Sequence, residues 1–307
     1  MIQDIAPHRM DNQYRPGAVP QQNSPILIFT GARTENVMAH VSEGHMRYPL
    51  YREMPEGITY TYLFSIDETG YFMGIVSKEA EKDLPRELQE IRLRDLRPHY
   101  YLGEENRHLI FAAYTAMQLA GWYRDNRYCG TCAHRTVPSQ TERALVCSKC
   151  GRTIYPRILP AVIIGVTDGN RILMTKYAGR GIPFYALVAG FNEVGETLEE
   201  TVAREVMEEV GLKVRNIRYY KSQPWGIVDD LLAGFYCDVD GNTQITLDTN
   251  ELKEAVWVER EDVEGQPHDL SLTNEMMVVF REGREPVGYL YRQTGNNSPN
   301  ADRGEQT

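Results

Sequence analysis

Glu205, Glu208 and Glu209 fall within one helical turn of a stretch that holds seven acids and one basic residue, Arg204, between Glu193 and Leu212. Placed on a helix, the three carboxylates share an arc of about 100°. Like charges at that spacing repel, and acids near a helix C-terminus also oppose its dipole. Both effects raise carboxylate pKa values unless a cation is present. A hard divalent ion relieves both, because it takes carboxylate oxygens and retains waters for a phosphate substrate. The chemistry on offer is therefore metal-assisted work on a phosphate group. The competing reading is an ordinary solvated acidic face.

A second constellation precedes it. Cys129 and Cys132, then Cys147 and Cys150, form two C-x2-C pairs separated by fourteen residues. Four thiolates at this spacing read as a zinc ribbon with tetrahedral coordination, and a closed four-sulfur shell makes the zinc structural. Disulfides are disfavoured in a chain that shows no secretory signal. His134 is not needed as a ligand and reads as a surface residue. Cys237, in the alternating apolar segment 231–240, reads as a buried thiol in a strand. Residues 121–160 carry seven Lys/Arg against two acids, a local charge of +5. That patch is either a solvated basic surface or a contact for phosphate or RNA.

Regular elements must hold these groups. Thr197 and Glu200 fit a capping box and Gly211 fits a helix stop, so a helix is expected over 198–210. Val202, Ala203, Val206, Met207 and Val210 form its apolar arc, with the carboxylates along the edge. Strands are expected within 161–177, around the turn Asp168-Gly169-Asn170, and at 185–190, 213–225, 231–241 and 254–260. A closing helix is expected over 273–283. Upstream, 25–29, 59–67 and 70–76 read as strands. Residues 81–96 show helical spacing interrupted by Pro85, and 105–126 reads as a helix. Residues 1 to about 24 read as irregular, and those from about 293 as disordered.

The 307 residues suffice for two domains with a sizeable core. Apolar content of 42% and charged content of 25% are those of a soluble globular protein. A net charge of -10 argues against nucleic-acid binding through the whole surface. No apolar run is long enough to span a bilayer, and neither end carries a targeting or lipidation pattern. A cytoplasmic chain without membrane contact is the expectation.

Gly190, Glu196 and the run from Arg204 to Leu212 resemble the Nudix box at every fixed position. The resemblance implies an α/β fold: a Nudix mixed-sheet α/β/α sandwich that hydrolyses a nucleoside diphosphate linked to another moiety. It implies that Glu205 and Glu209 bind Mg2+ or Mn2+, and that Glu208 binds a further ion or helps activate water. Arg204 would orient a glutamate, Gly190 would permit close approach of the loop, and the Ala189 carbonyl would be a metal ligand.

A four-cysteine ribbon just before such a domain is similar to the NADH pyrophosphatase branch of that family. The branch motif Ser-Gln-Pro-Trp-Pro-Phe-Pro is half present, as Ser222-Gln223-Pro224-Trp225. The chain departs from it at Gly226-Ile227-Val228-Asp229-Asp230. An indole at 225 could stack on a nicotinamide or adenine ring, and Gln223 could hydrogen-bond a base or amide edge. A core role for Trp225 is the alternative. Phe191 is a second stacking candidate. Tyr155 and Glu142 match substrate contacts of the branch, and Glu251 matches an additional metal ligand. The implied organisation is an N-terminal α+β domain (1–124), a zinc ribbon (125–157), a Nudix domain (158–292) and a disordered tail (293–307). The implied reaction converts NADH or NAD+ and water to nicotinamide mononucleotide and AMP in a homodimer, with removal of NAD caps from RNA as a second activity. Two other functions compete. One is hydrolysis of ADP-ribose or a related nucleotide. The other is catalytically silent sensing of NAD or nucleic acid, against which the intact glutamate triplet speaks.

Overall fold

The computed structural model describes residues 1–31, 34–42, 45–96, 106–179 and 183–286. The tail expected to be disordered lies outside the described residues. The N-terminal part carries strands β1 (Met10–Asp11), β2 (Ile26–Leu27), β3 (Phe29–Thr30), β4 (Asn36–Ser42), β5 (His45–Arg47), β6 (Ile58–Ile66), β7 (Thr69–Val76) and β8 (Leu88–Arg92). Helix α1 (Arg107–Asp125) closes it. Strands β1, β6, β7 and β2 form one four-stranded sheet, and β3, β4, β5 and β8 form another. Small residues Ala112, Ala113, Ala116 and Ala120 are buried along α1, which lets the helix pack closely on this core.

The helical reading of 81–96 is corrected. A short 3-10 turn at Ala80–Asp83 stops before Pro85, and β8 follows, paired antiparallel with β4. Leu88 and Ile91, three residues apart, are buried and mimic a helical period. Pro85 blocks a continuous helix, and pairing with β4 satisfies the backbone of this segment. The first 24 residues are largely irregular, as expected. Even so, Met1, Ile2 and Ile5 are buried, and Met1 packs in the core of the C-terminal unit.

Strands β9 (Thr136–Pro138), β10 (Leu145–Cys147) and β11 (Thr153–Ile154) make a small sheet around the cysteines. The C-terminal unit follows with β12 (Leu159–Asp168), β13 (Arg171–Tyr177), β14 (Val188–Phe191), helix α2 (Leu198–Val210), β15 (Val214–Trp225), β16 (Asp230–Val239), β17 (Leu252–Glu259) and helix α3 (Leu272–Arg281). Its six-stranded sheet runs β15-β16-β12-β13-β17, with β14 pairing β12. The β12–β16 pair is parallel and the other pairs are antiparallel. Strand β12 is central and almost wholly buried, as a strand covered on both faces must be. One face packs on α2 through Val202, Val206 and Val210. The other packs on α3 through Leu272, Met276 and Phe280. Helix, mixed sheet and helix thus form three layers.

The two parts are tied together at the β15–β16 hairpin. A Cβ added at Gly226 would overlap the backbone of Tyr114 in α1, so the turn lies directly against that helix. Gln118 Nε2 donates to the Arg157 carbonyl at 3.0 Å, and Ile2 N donates to the Leu270 carbonyl at 2.9 Å.

Candidate active site

Helix α2 begins as its sequence dictates. Thr197 Oγ1 accepts from Glu200 N at 3.2 Å, and Glu200 Oε2 accepts from Thr197 N at 2.8 Å. Gly211, at φ 69°, ends the helix in the left-handed region that glycine adopts without strain. One detail of the sequence reading is corrected. Ala203 and Met207 are exposed, whereas Glu205 and Glu209 are buried with Val202, Val206 and Val210. The covered stripe is rotated toward the acids because β14 and the following loop lie over that side of the helix.

Two carboxylates are therefore held out of water. Glu209 is 2% exposed, and the Glu205 side chain 10%. Burial pushes the Glu205 carboxyl above its usual range; Arg204 opposes that shift, while the charges of Glu208 and Glu251 add to it. A Cβ at residue 190 would overlap the Glu205 carboxyl group, so only glycine leaves room for strand β14 to lie against it. The Ala189–Gly190 backbone is thereby placed beside Glu205. Glu251 arrives through the loop before β17. Thr246 N and Asp248 N donate to the last carbonyls of α2, those of Val210 and Glu209, each at 2.9 Å, and Ala178 N donates to the Glu251 carbonyl at 2.8 Å. Glu208 sits at the rim, its side chain 58% exposed.

Arg204 organises this cluster. It pairs with Glu196 at 2.6 Å, Glu205 at 2.8 Å and Glu208 at 3.0 Å, and donates to the Phe191 carbonyl at 2.9 Å. The guanidinium holds the Glu196 carboxyl down to about 2. Thr201 and Asn192 extend the network, since Thr201 Oγ1 donates to Glu196 and Asn192 Nδ2 donates to Thr201 Oγ1. The residue chemistry suits a divalent cation, since buried Glu205 and Glu209 offer hard oxygen ligands and the Glu205 carboxyl is raised. Among the described residues, however, only the cysteines, and not these acids, are drawn into one tight ligand cluster.

The ribbon passes a sharper test. The four cysteine sulfurs lie within 4.8 Å of one another, with Cys129–Cys150 at 3.7 Å and Cys132–Cys147 at 3.5 Å. Four thiolates about 2.3 Å from one zinc would be ~3.8 Å apart. The backbone N–H groups of Thr131 and Cys132 pull the Cys129 thiol down to about 6, and those of Cys150 and Lys149 lower that of Cys147. At Cys132 the pull of the His134 N–H is outweighed by the neighbouring sulfurs, which raise the thiol to about 12. Backbone donors thus favour thiolates at Cys129 and Cys147, and zinc would have to displace the proton that Cys132 keeps. His134 is exposed, with Nδ1 2.8 Å from the Cys132 carbonyl. Cys237 is fully buried in β16.

The substrate-contact candidates divide. Tyr155 and Glu142 meet: the Tyr155 hydroxyl donates to Glu142 at 3.1 Å, and both are exposed on the ribbon. Phe191 is 50% exposed beside Arg204. Pro224 is exposed, and Trp225 is half-buried against both the N-terminal and C-terminal cores, its ring 6.1 Å from that of Tyr114. Gln223 is corrected. It is 0% exposed and its amide is engaged internally, donating to the Leu270 carbonyl at 2.8 Å and Gln3 at 3.0 Å and accepting from Leu272 N at 2.7 Å. It faces inward because α3 begins at Leu272 with an unsatisfied N–H that the Gln223 side chain fills. Sequence reasoning missed the organising role of Glu196 and Thr201, although their spacing from Arg204 held the signal. It also gave no role to Asp230.

The NUDIX domain profile matches residues 157–278, and that of the NADH pyrophosphatase zinc ribbon domain matches 124–155. The NAD-capped RNA hydrolase NudC of Enterobacter sp. (strain 638) is 40% identical over 176 residues, 57% of this chain and 68% of that protein. The protein of the same name from Shigella dysenteriae serotype 1 (strain Sd197) is 44% identical over 149 residues, 48% of this chain and 58% of that one.

Proposed function

Because the chain belongs to the Nudix hydrolase family, with an NADH pyrophosphatase zinc ribbon before its Nudix domain, we propose that it hydrolyses the pyrophosphate bond of NADH or NAD+. The products are nicotinamide mononucleotide and AMP. The observation that carries this reading is the pair of buried acids, Glu205 and Glu209, of which Glu205 lies against the Gly190 backbone and is braced by Arg204.

A divalent cation, Mg2+ or Mn2+, held by Glu205, Glu209, Glu251 and the Ala189 carbonyl with Glu208 at the rim, would neutralise diphosphate oxygens and acidify a nearby water. The protein supplies position and charge. Arg204 fixes the rotamers of Glu205 and Glu208, and Glu196 fixes Arg204. Trp225 and Phe191 offer ring faces to the bases, with Tyr155 and Glu142 as further contacts. Zinc in the four-thiolate shell is structural.

The relatives' activity on NAD-capped RNA supports cap removal as a second substrate class for the same bond. Exposed Arg127, Arg135, Lys149 and Arg152 on the ribbon would meet the RNA phosphates. We carry a homodimer in the same proposal. Ile158, Val228 and Leu231 are exposed near the β12–β16 end, an apolar surface that a second copy would cover. Five unbridged cysteines suit a reducing, cytoplasmic setting. Among the described residues no helix is long and apolar enough to cross a membrane.

Glu209→Gln is the test. It should lower AMP release from NADH by at least about a hundredfold while the protein stays folded. Wild-type protein that releases no AMP with Mn2+ would overturn the reading. The departure at Gly226–Asp230 favours one rival, an ADP-ribose hydrolase, and turnover of ADP-ribose about tenfold above NADH would select it.

A further inference from the structure

Asp230 is a buried acid that the site described above does not use. It opens β16 directly opposite Trp225 on β15 and beside Leu159 on β12. Opposed residues of an antiparallel pair share a face, with Cβ atoms about 4.5–5.5 Å apart. Asp230 is 7% exposed, and among the described residues its Oδ1 meets no hydrogen-bond partner. Burial, reinforced by the neighbouring Asp229, pushes its carboxyl up to about 6. The nearby cation is already engaged, because Arg157 Nε and Nη2 both bond Asp229.

Buried polar atoms nearly always find partners, and an acceptor left over needs an explanation. Here it lies beside a half-buried indole, at the point where the chain leaves the branch motif. A carboxylate there would accept from an N–H at the edge of a ring stacked on the indole. It would reject a ligand oxygen at the same place, since two acceptors facing each other are left unsatisfied.

We propose that Asp230 is a specificity-determining residue whose carboxylate accepts a hydrogen bond from the exocyclic amino group of the base stacked on Trp225. This rests on the dinucleotide reading of the site. Both halves of the substrate carry such a group: the carboxamide nitrogen of nicotinamide and the 6-amino group of adenine.

The experiment measures kcat and KM of wild type, Asp230→Asn and Asp230→Ala on three substrates. These are NAD+, its analogue with nicotinic acid in place of nicotinamide, and its analogue with hypoxanthine in place of adenine. Wild type should prefer NAD+ over one analogue by at least about tenfold, carried mainly by KM. Asp230→Asn, which presents a donor instead, should narrow or invert that preference, and Asp230→Ala should erase it without inverting it. A response on the nicotinic acid analogue assigns the contact to nicotinamide, and one on the hypoxanthine analogue assigns it to adenine. If Asp230→Asn scales all three substrates by one factor, or leaves all unchanged, Asp230 is only structural and the inference is overturned. If wild type hydrolyses none of the three, the dinucleotide reading fails and takes the inference with it.

Discussion

A carboxylate kept from water costs stability whenever it is ionised, and Asp230 allows that cost to be measured apart from catalysis. Its folded-state pKa of about 6 lies above its ordinary value of 3.8. Below the ordinary value the group is protonated in both folded and unfolded states, and no penalty arises. As pH rises through about 6, the folded state must hold the buried anion and loses stability. Asp230→Asn should therefore be more stable than wild type at pH 8, by an amount on the order of 2 kcal/mol. The difference should shrink toward zero near pH 4. Thermal melts at pH 4, 6 and 8 decide this, and a gap that ignores pH would show that charge burial is not its source. The opposite sign holds for Glu53, which Arg47 brings down to about 2. Its contribution is present above the usual carboxylate range and is lost as pH falls toward 2.

At the scale of elements, the cap and the glycine of the acidic helix separate folding from chemistry. Thr197→Ala removes the side-chain bond to Glu200 N and should cost about 1 kcal/mol in melting experiments, with kcat near the wild-type value. Gly190→Ala puts a methyl group into the Glu205 carboxyl. Turnover should fall by about a hundredfold, since sub-ångström misplacement of a catalytic group is severe. If Gly190→Ala keeps full turnover, close approach of β14 to Glu205 is not needed. The helix itself was legible because local rules fix it: a capping box, a terminal glycine and valines at helical spacing. Which of its faces is covered was not, because β14 and a distant loop decide that Glu205 and Glu209 are buried while Met207 is not. Segment 81–96 misled for the same reason. Leu88 and Ile91 fit either period, and only the edge of β4 makes the stretch a strand. The cysteine spacing needed no tertiary knowledge, so it gave the ribbon directly. The inward turn of Gln223 depends on Gln3 and Leu270, which no local pattern brings near it.

For the whole molecule, the ribbon links two larger parts, and its metal should matter to both. Arg143 of the ribbon donates to the carbonyls of Asn12 and Leu63, and Leu145 packs in the N-terminal core. Cys147→Ser should release the zinc, lower the melting temperature and raise KM for NADH more than it lowers kcat, because Glu142 and Tyr155 belong to the ribbon and the acids do not. Metal analysis beside steady-state kinetics checks this, and unchanged KM would remove the ribbon from substrate binding. The seam between helix α1 and the β15–β16 turn carries one more consequence. Where Gly226 touches Tyr114 there is space for a hydrogen atom and nothing bulkier. A proline there, as the branch motif has, would act as a wedge and pry the two halves apart. Any route from this sequence back to that motif must first carve room in the helix, before the loop can change.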